Sequence, residues 1–294
     1  MSPENELRPA NDTRAKLDDF FSAFSGAVTP SLLIDYDGTL APFRVDRFQA
    51  LPWAGVRDLL NQIQSQGRTR IVVVTGRPGS EILPLLGVEP APEVWGLHGA
   101  ERLYADGRRE FEELSPEVRG KLDALAAQLQ RESESTGGLI EIKPNAVVMH
   151  WRGVSPARAK IIERHTRALF EPLAQTNGLG LLEFEAGLEL RAGRDKGGAV
   201  TTILDEAAGA SPQTGPNQNT NPAAFLGDDL TDEVAFRAIK NHGGLGVLVR
   251  RQFRPTAADI WLCPPEDLRD FLNRWFHACA HLQSNLYDPL LYSR

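Results

Sequence analysis

The chain has 294 residues, enough for one large domain or two modest ones, and 41% of them are hydrophobic, which supplies a sizeable core. A formal net charge of -7 argues against a nucleic-acid binder, although a local basic cleft can still hold an anionic metabolite. The two cysteines, Cys263 and Cys279, lack metal-ligand spacing, no apolar stretch reaches spanning length, and the polar start is unlike a signal peptide; disulfide scaffold, zinc site and membrane protein are set aside, and the chain reads as cytoplasmic.

Residues 1–13 carry Pro3, Pro9 and several charges without apolar periodicity and read as a frayed terminus. Leu17, Phe20, Phe21 and Phe24 recur at helical spacing, so 14–27 form an amphipathic packing helix. Leu32, Leu33 and Ile34 then make a run too short for a helix, stopped by Asp35, Asp37 and Gly38, which reads as a central strand of a parallel sheet. Open α/β sheets bind ligands beyond the carboxyl ends of such strands. Asp35 and Asp37 alternate around Tyr36, so both carboxylates start on one side of the backbone. Two acids so close repel and are costly to desolvate unless a cation or phosphate chemistry uses them. By itself, Asp-x-Asp-Gly is equally an ordinary polar strand end.

Val56, Leu59, Leu60 and Ile63 mark a helix over 53–66. The β-branched run 70–74 predicts a second buried strand ending at Thr75, Gly76 and Arg77, laid beside the first by a right-handed crossover. Thr75 then sits next to Asp35, either as a hydroxyl donor to a phosphoryl oxygen or as a local cap. A short helix follows over 79–86, and 94–101 read as a third strand running into a tight turn, with His98 either a site residue or a packed core histidine.

From about residue 111 the texture changes. A helix over 115–133, strands 139–143 and 146–152 around Pro144-Asn145, a helix over 155–175, and strands 178–185 and 188–191 describe a small antiparallel α+β layer inserted between parallel units. Alternation puts Glu141 and Lys143 on one side of their strand, and His150 and Arg152 on one side of the next. Such a face suits a polyhydroxylated anionic ligand, and a solvated outer face would carry the same residues. The division expected is an N-terminal extension over 1–27, a core in two parts over 28–110 and 188–294, and an inserted domain over 111–187.

The parallel pattern returns with Lys196 at a helix start, where it can hold a phosphate. Residues 207–222 have the composition of a flexible loop. The strand 223–227 again stops at carboxylates, Asp228, Asp229 and Asp232, and Asp228 with Asp232 one helical turn on is a hard-oxygen site suited to Mg²⁺. A strand over 245–249 and a closing helix through Leu268, Phe271, Leu272 and Trp275 complete the core; the tail from His277 has no functional reading.

Four strand or helix ends in order, Asp35-Tyr-Asp37-Gly-Thr, Thr75, Lys196 and Gly227-Asp-Asp-Leu-Thr-Asp232, resemble the four motifs of the haloacid dehalogenase superfamily. The inserted layer resembles its cap domain. Thr-Gly-Arg-Pro, Gly-Leu-His-Gly-Ala-Glu and Glu-x-Lys before His-x-Arg resemble the trehalose-6-phosphate phosphatase family in particular, over roughly residues 30–275. The resemblance implies an α/β, Rossmann-like core with an inserted α+β cap and a Mg²⁺-dependent phosphatase. Asp35 would be the nucleophile, Asp37 the acid then base, and Thr75 and Lys196 the phosphoryl-oxygen holders. Asp35, the Asp37 carbonyl and Asp228 would hold the ion, with Asp229 and Asp232 in support. Arg77, His98, Glu141, Lys143, His150, Arg152 and Glu189 become candidates for binding the sugar. A small sugar phosphate is the implied partner, with a functional link to trehalose-6-phosphate synthase. Glucosylglycerol phosphate or mannosyl-3-phosphoglycerate would suit the same motifs; a non-catalytic sugar-phosphate sensor would have no need of Asp35 and Asp37, and both are present.

Overall fold

The computed structural model describes residues 10–281 except 26, 28, 45, 177, 185 and 211–220. Helix α1 (Ala10–Ser22) leads into β1 (Ser31–Ile34), α2 (Val56–Ser65), β2 (Arg70–Val74), α3 (Gly79–Leu86) and β3 (Glu93–Gly96), and short β4 (Glu101–Leu103) and β5 (Arg109–Phe111) follow. The insertion holds α4 (Pro116–Thr136), β6 (Leu139–Lys143), β7 (Ala146–His150), α5 (Pro156–Ala174), β8 (Leu179–Phe184) and β9 (Gly187–Ala192). The chain returns through α6 (Lys196–Ala210), β10 (Ala223–Gly227), α7 (Glu233–Asn241), β11 (Leu245–Val249), β12 (Ile260–Leu262) and α8 (Glu266–His281).

The first sheet runs β12-β11-β10-β1-β2-β3-β4-β5 and is parallel from β12 to β3, with β4 and β5 added antiparallel. From β1 the chain builds outward through β2 and β3 on one side and later through β10, β11 and β12 on the other. The sheet therefore switches direction at β1, and the crevice for a ligand opens beyond the carboxyl ends of β10, β1 and β2. Period-two alternation divides β1 between two cores: Leu32 and Ile34 pack with Leu60, Ile63 and Trp275, and Leu33 packs with Ala199, Ile203 and Phe236. Burial on both faces explains the continuous apolar run.

The second sheet, β6-β7-β9-β8, is antiparallel. One face packs Val147, Met149, Leu188 and Leu190 against Leu122, Leu129 and Phe170 of the helices. The other carries Glu141, Val148 and Glu189 in one lateral row. Because β9 pairs with both β7 and β8, the stretch 188–192 belongs to this sheet, and a boundary at 187/188 divides the second hairpin.

Several element bounds differ from expectation. Helix α1 starts at Ala10, inside the stretch expected to fray, and residues 1–9 lie outside the described residues. The third strand ends at Gly96 because Leu97 and His98 take positive φ, 50° and 58°, which break the ladder. Helix α6 continues through Ala210, so 207–210 of the expected loop are helical, 211–220 lie outside the described residues and 221–222 lead into β10; residues 282–294 of the tail lie outside the described residues too. Strand β7 stops at His150 and leaves Arg152 in the turn beyond it.

Candidate active site

Asp35 extends the end of β1, its amide donating to the Leu226 carbonyl at 2.8 Å, and its side chain is buried. Lys196 arrives from the first turn of α6 and places Nζ 2.8 Å from Asp35 Oδ1 and 2.7 Å from Asp232 Oδ1. Carboxylate oxygens of Asp35, Asp228 and Asp232 lie within 4.8 Å of one another. Burial pushes the Asp35 carboxyl up to about 7 against the pull of Lys196, and burial with the neighbouring Asp35 charge holds Asp228 well above its usual range. Burial alone would lower Lys196, but the charges of Asp232 and Asp35 outweigh it and hold the ammonium protonated. Three buried carboxylates around one ammonium leave excess negative charge, and such a pocket of hard oxygens fits a divalent cation.

The acidic turn after β10 is fixed by its own side chains. Asp232 Oδ2 accepts from the amides of Asp228 and Asp229 at 2.9 and 3.0 Å, so it holds the turn with one oxygen and Lys196 with the other. Asp229 Oδ1 accepts from the Leu230 amide at 2.7 Å, capping the turn that precedes α7. Arg254 donates to the carbonyls of Asp228 and Asp229 from outside, a support without a sequence motif. On the facing loop, Gly38 has φ +87°, and a methyl group there would lie 2.1 Å from Asp228 Oδ2. Only glycine permits that approach.

Asp37 lies at the mouth, its Oδ1 3.4 Å from Arg77 Nη1; burial raises its carboxyl, partly offset by Arg77. The buried Thr75 hydroxyl accepts from the Arg77 amide at 3.2 Å, so Thr75 caps its own turn while facing the same cavity as Asp35. His98 packs its ring over Gly76, and Nε2 stands 3.9 Å from Glu189 Oε2. Its Nδ1 is buried without a hydrogen-bond partner among the described residues. Burial, reinforced by Lys143 and Arg191, pushes the imidazole well below its usual range and keeps it neutral.

The second sheet closes the opposite wall. Lys143 Nζ is 2.7 Å from Glu189 Oε2, and His150 Nε2 is 3.0 Å from Glu141 Oε2. The His150 hydrogen bond holds Glu141 down at about 2. Between the two walls lies an open cleft of about 200 Å³. Every site residue expected from the sequence lines this space except Asp232, which stands behind it, and Arg152, which lines a neighbouring cleft with Arg44, Arg250 and Arg251. Arg47, Phe43 and Phe184 also line it. Phe43 and Arg47 sit in aperiodic segments, where no sequence pattern marks them, and Phe184 ends β8, an expected strand in which nothing marks that residue for the site.

The trehalose-phosphatase family model matches residues 33–260. The trehalose-phosphate phosphatase of Mycobacterium marinum is 30% identical over 255 residues, covering 83% of this chain and 61% of its own length. The chain thus spans about three-fifths of the length of the curated relatives it matches first. Among solved structures, the C-terminal domain of Candida albicans trehalose-6-phosphate phosphatase superposes with a TM-score of 0.72 at 20% identity, over 90% of this chain and 96% of that one. A haloacid dehalogenase-like hydrolase from B. subtilis superposes with a TM-score of 0.54 at 17% identity, over 83% and 98%. At those identities the likeness speaks for the fold alone, and the sequence match carries the family. The sequence match shows that this chain belongs to the trehalose-phosphatase family, and its fold is like that of a haloacid dehalogenase-like hydrolase.

Proposed function

We propose that the chain hydrolyses trehalose 6-phosphate to trehalose and phosphate through an aspartyl-phosphate on Asp35, with Mg²⁺ as cofactor. The observation that carries this reading is the buried set of Asp35, Lys196 and Asp228 at the switch point of the sheet, facing a wall of paired Glu, Lys and His side chains. The carboxylates of Asp35 and Asp228 and the Asp37 carbonyl would hold the ion, with Asp229 and Asp232 fixing the turn around it. Mg²⁺ supplies charge neutralisation where two anions must meet.

Asp35 attacks phosphorus and the bond to the sugar oxygen breaks, while Asp37 gives that oxygen its proton. Asp37, now a carboxylate, takes a proton from water, which displaces phosphate from Asp35. Lys196 and Thr75 stabilise the charge on the non-bridging oxygens. Glu141, Lys143 and Glu189 would hydrogen-bond sugar hydroxyls, with His98 as a neutral donor or acceptor, His150 orienting Glu141, and Arg77 beside Asp37 at the mouth. The cap, taken as 112–192, excludes water when it closes over the sugar. A functional link to trehalose-6-phosphate synthase and a cytoplasmic setting belong to the same proposal; among the described residues no helix is long and apolar enough to cross a membrane.

The test is phosphate release from a panel of sugar phosphates, with Mg²⁺ and with chelator. Trehalose 6-phosphate is expected to be the preferred ester, and Asp35→Asn to lower the rate at least about a thousandfold. Preference for another glycosyl phosphate, such as glucosylglycerol phosphate or mannosyl-3-phosphoglycerate, would keep the mechanism and replace the substrate. Release from none would leave a sugar-phosphate-binding module.

A further inference from the structure

A line of alternating charges runs from the core acid to the cap. Asp37 faces Arg77 at 3.4 Å, and Arg77 Nη2 reaches Glu81 Oε2 at 3.3 Å. The other Glu81 oxygen takes Arg47 Nη2 at 2.8 Å, and Arg47 Nη1 reaches Glu141 Oε1 at 3.2 Å. Glu141 ends the line on His150. Asp37, Arg77, Glu81 and Arg47 belong to the first sheet's body, whereas Glu141 and His150 stand on β6 and β7 of the cap. Arg47 lies in a single helical turn, 47–49, after β1, held by Asp46 accepting from the Phe48 amide at 3.0 Å. Its own carbonyl accepts from Arg77 Nη1 at 3.0 Å. Arg77 is thus held by the Arg47 backbone directly and by its side chain through the shared Glu81.

A lone exposed ion pair contributes little. Arg47 differs because each arm of one rigid fork goes to a carboxylate on a different body, so both are satisfied only when the cap is closed. We propose that Arg47 is a positioning residue that couples cap closure to the placement of Asp37, an inference resting on the acid and base role given to Asp37 above. With the cap away, Arg47 keeps Glu81 alone and its side chain is free to swing. Glu81 and Arg77 lose that brace, and Asp37 is held less firmly where the ester oxygen must arrive. With Glu141 in place the line is complete. A substrate that engages the cap benefits from the coupling, and one too small to reach it does not.

The experiment compares trehalose 6-phosphate with p-nitrophenyl phosphate, a small ester, for the wild type, Arg47→Gln, Arg47→Lys, Glu81→Gln and Arg47→Gln/Glu81→Gln, all with Mg²⁺. On the sugar ester, Arg47→Gln is expected to lower kcat about tenfold or more with KM nearly unchanged, since small misplacements at the reacting atoms are costly. On p-nitrophenyl phosphate it should stay within about threefold of wild type. Arg47→Lys, which cannot fork, should fall between, and the double variant, which also takes the Glu81 charge from Arg77, should lose less than the product of the two single losses, because both changes act on the shared Glu81. Equal losses on the two esters, or a raised KM with kcat intact, would overturn the proposal. If the wild type cleaves only p-nitrophenyl phosphate, the substrate reading fails by itself. The coupling is then judged by solution scattering: a larger radius of gyration for Arg47→Gln supports it, and an unchanged one overturns it.

Discussion

Lys196 is the residue on which the site's electrostatics turn. It is buried between Asp35 and Asp232, and no other ammonium or guanidinium is paired to either carboxylate among the described residues. Breaking a buried pair from one side leaves the other charge uncompensated, at about 3–5 kcal/mol. We therefore expect Lys196→Met to lower unfolding stability by about that amount in chelator, with Mg²⁺ restoring more stability to the variant than to the wild type, read from urea denaturation. Equal Mg²⁺ effects in the two proteins would contradict this account of the site's charge. The placement of Lys196 at a helix start was legible because two glycines follow it. The double duty of Asp232 was not, since its partners are amides of its own turn and an ammonium from a distant helix.

Strand ends and turns carry the chemistry at the next scale. Gly38 combines φ +87° with a gap that a methyl group would close onto the Asp228 carboxylate. Gly38→Ala should lower kcat at least about tenfold through displaced Asp228, with circular dichroism unchanged. A variant with native activity would mean that the loop relaxes freely. The Glu141–His150 pair on the β6–β7 hairpin gives a pH signature. Its carboxyl is depressed from 4.5 to about 2, so its stabilisation is fully present above 4.5 and is lost as pH falls toward about 2. The stability gap between wild type and Glu141→Gln should shrink across that window in urea titrations. Strands β1, β2, β6 and β7 were readable because their runs are long enough to show burial or alternation. Strands β4, β5 and β12 have three residues each, too few for a period, and β5 is exposed throughout.

The whole molecule sets how the acid cluster meets a cation. Asp35 is raised from 3.8 to about 7 in the metal-free protein, so between those values the folded state binds more protons than the unfolded one, and this contribution to stability falls as pH rises. Mg²⁺ competes with those protons. The rise in Tm produced by Mg²⁺ should therefore grow as pH increases toward and through about 7, compared with chelator at each pH. A Mg²⁺ effect constant across the range would show the carboxylates to be already ionised.

The sequence by itself determined the succession of the longer strands along the chain, the insertion of a second layer and the residues standing at the ends of those strands, because these depend on local periodicity and on where apolar runs stop. Tertiary structure alone decided which polar side chains converge. Packing the β6–β7–β9–β8 sheet over the crevice brought Glu141, Lys143 and Glu189 to the carboxylates, left Arg152 in a separate cleft, and drew in Arg47, which has no motif of its own. Convergence follows from contacts between segments far apart in the chain, and periodicity carries no information about those.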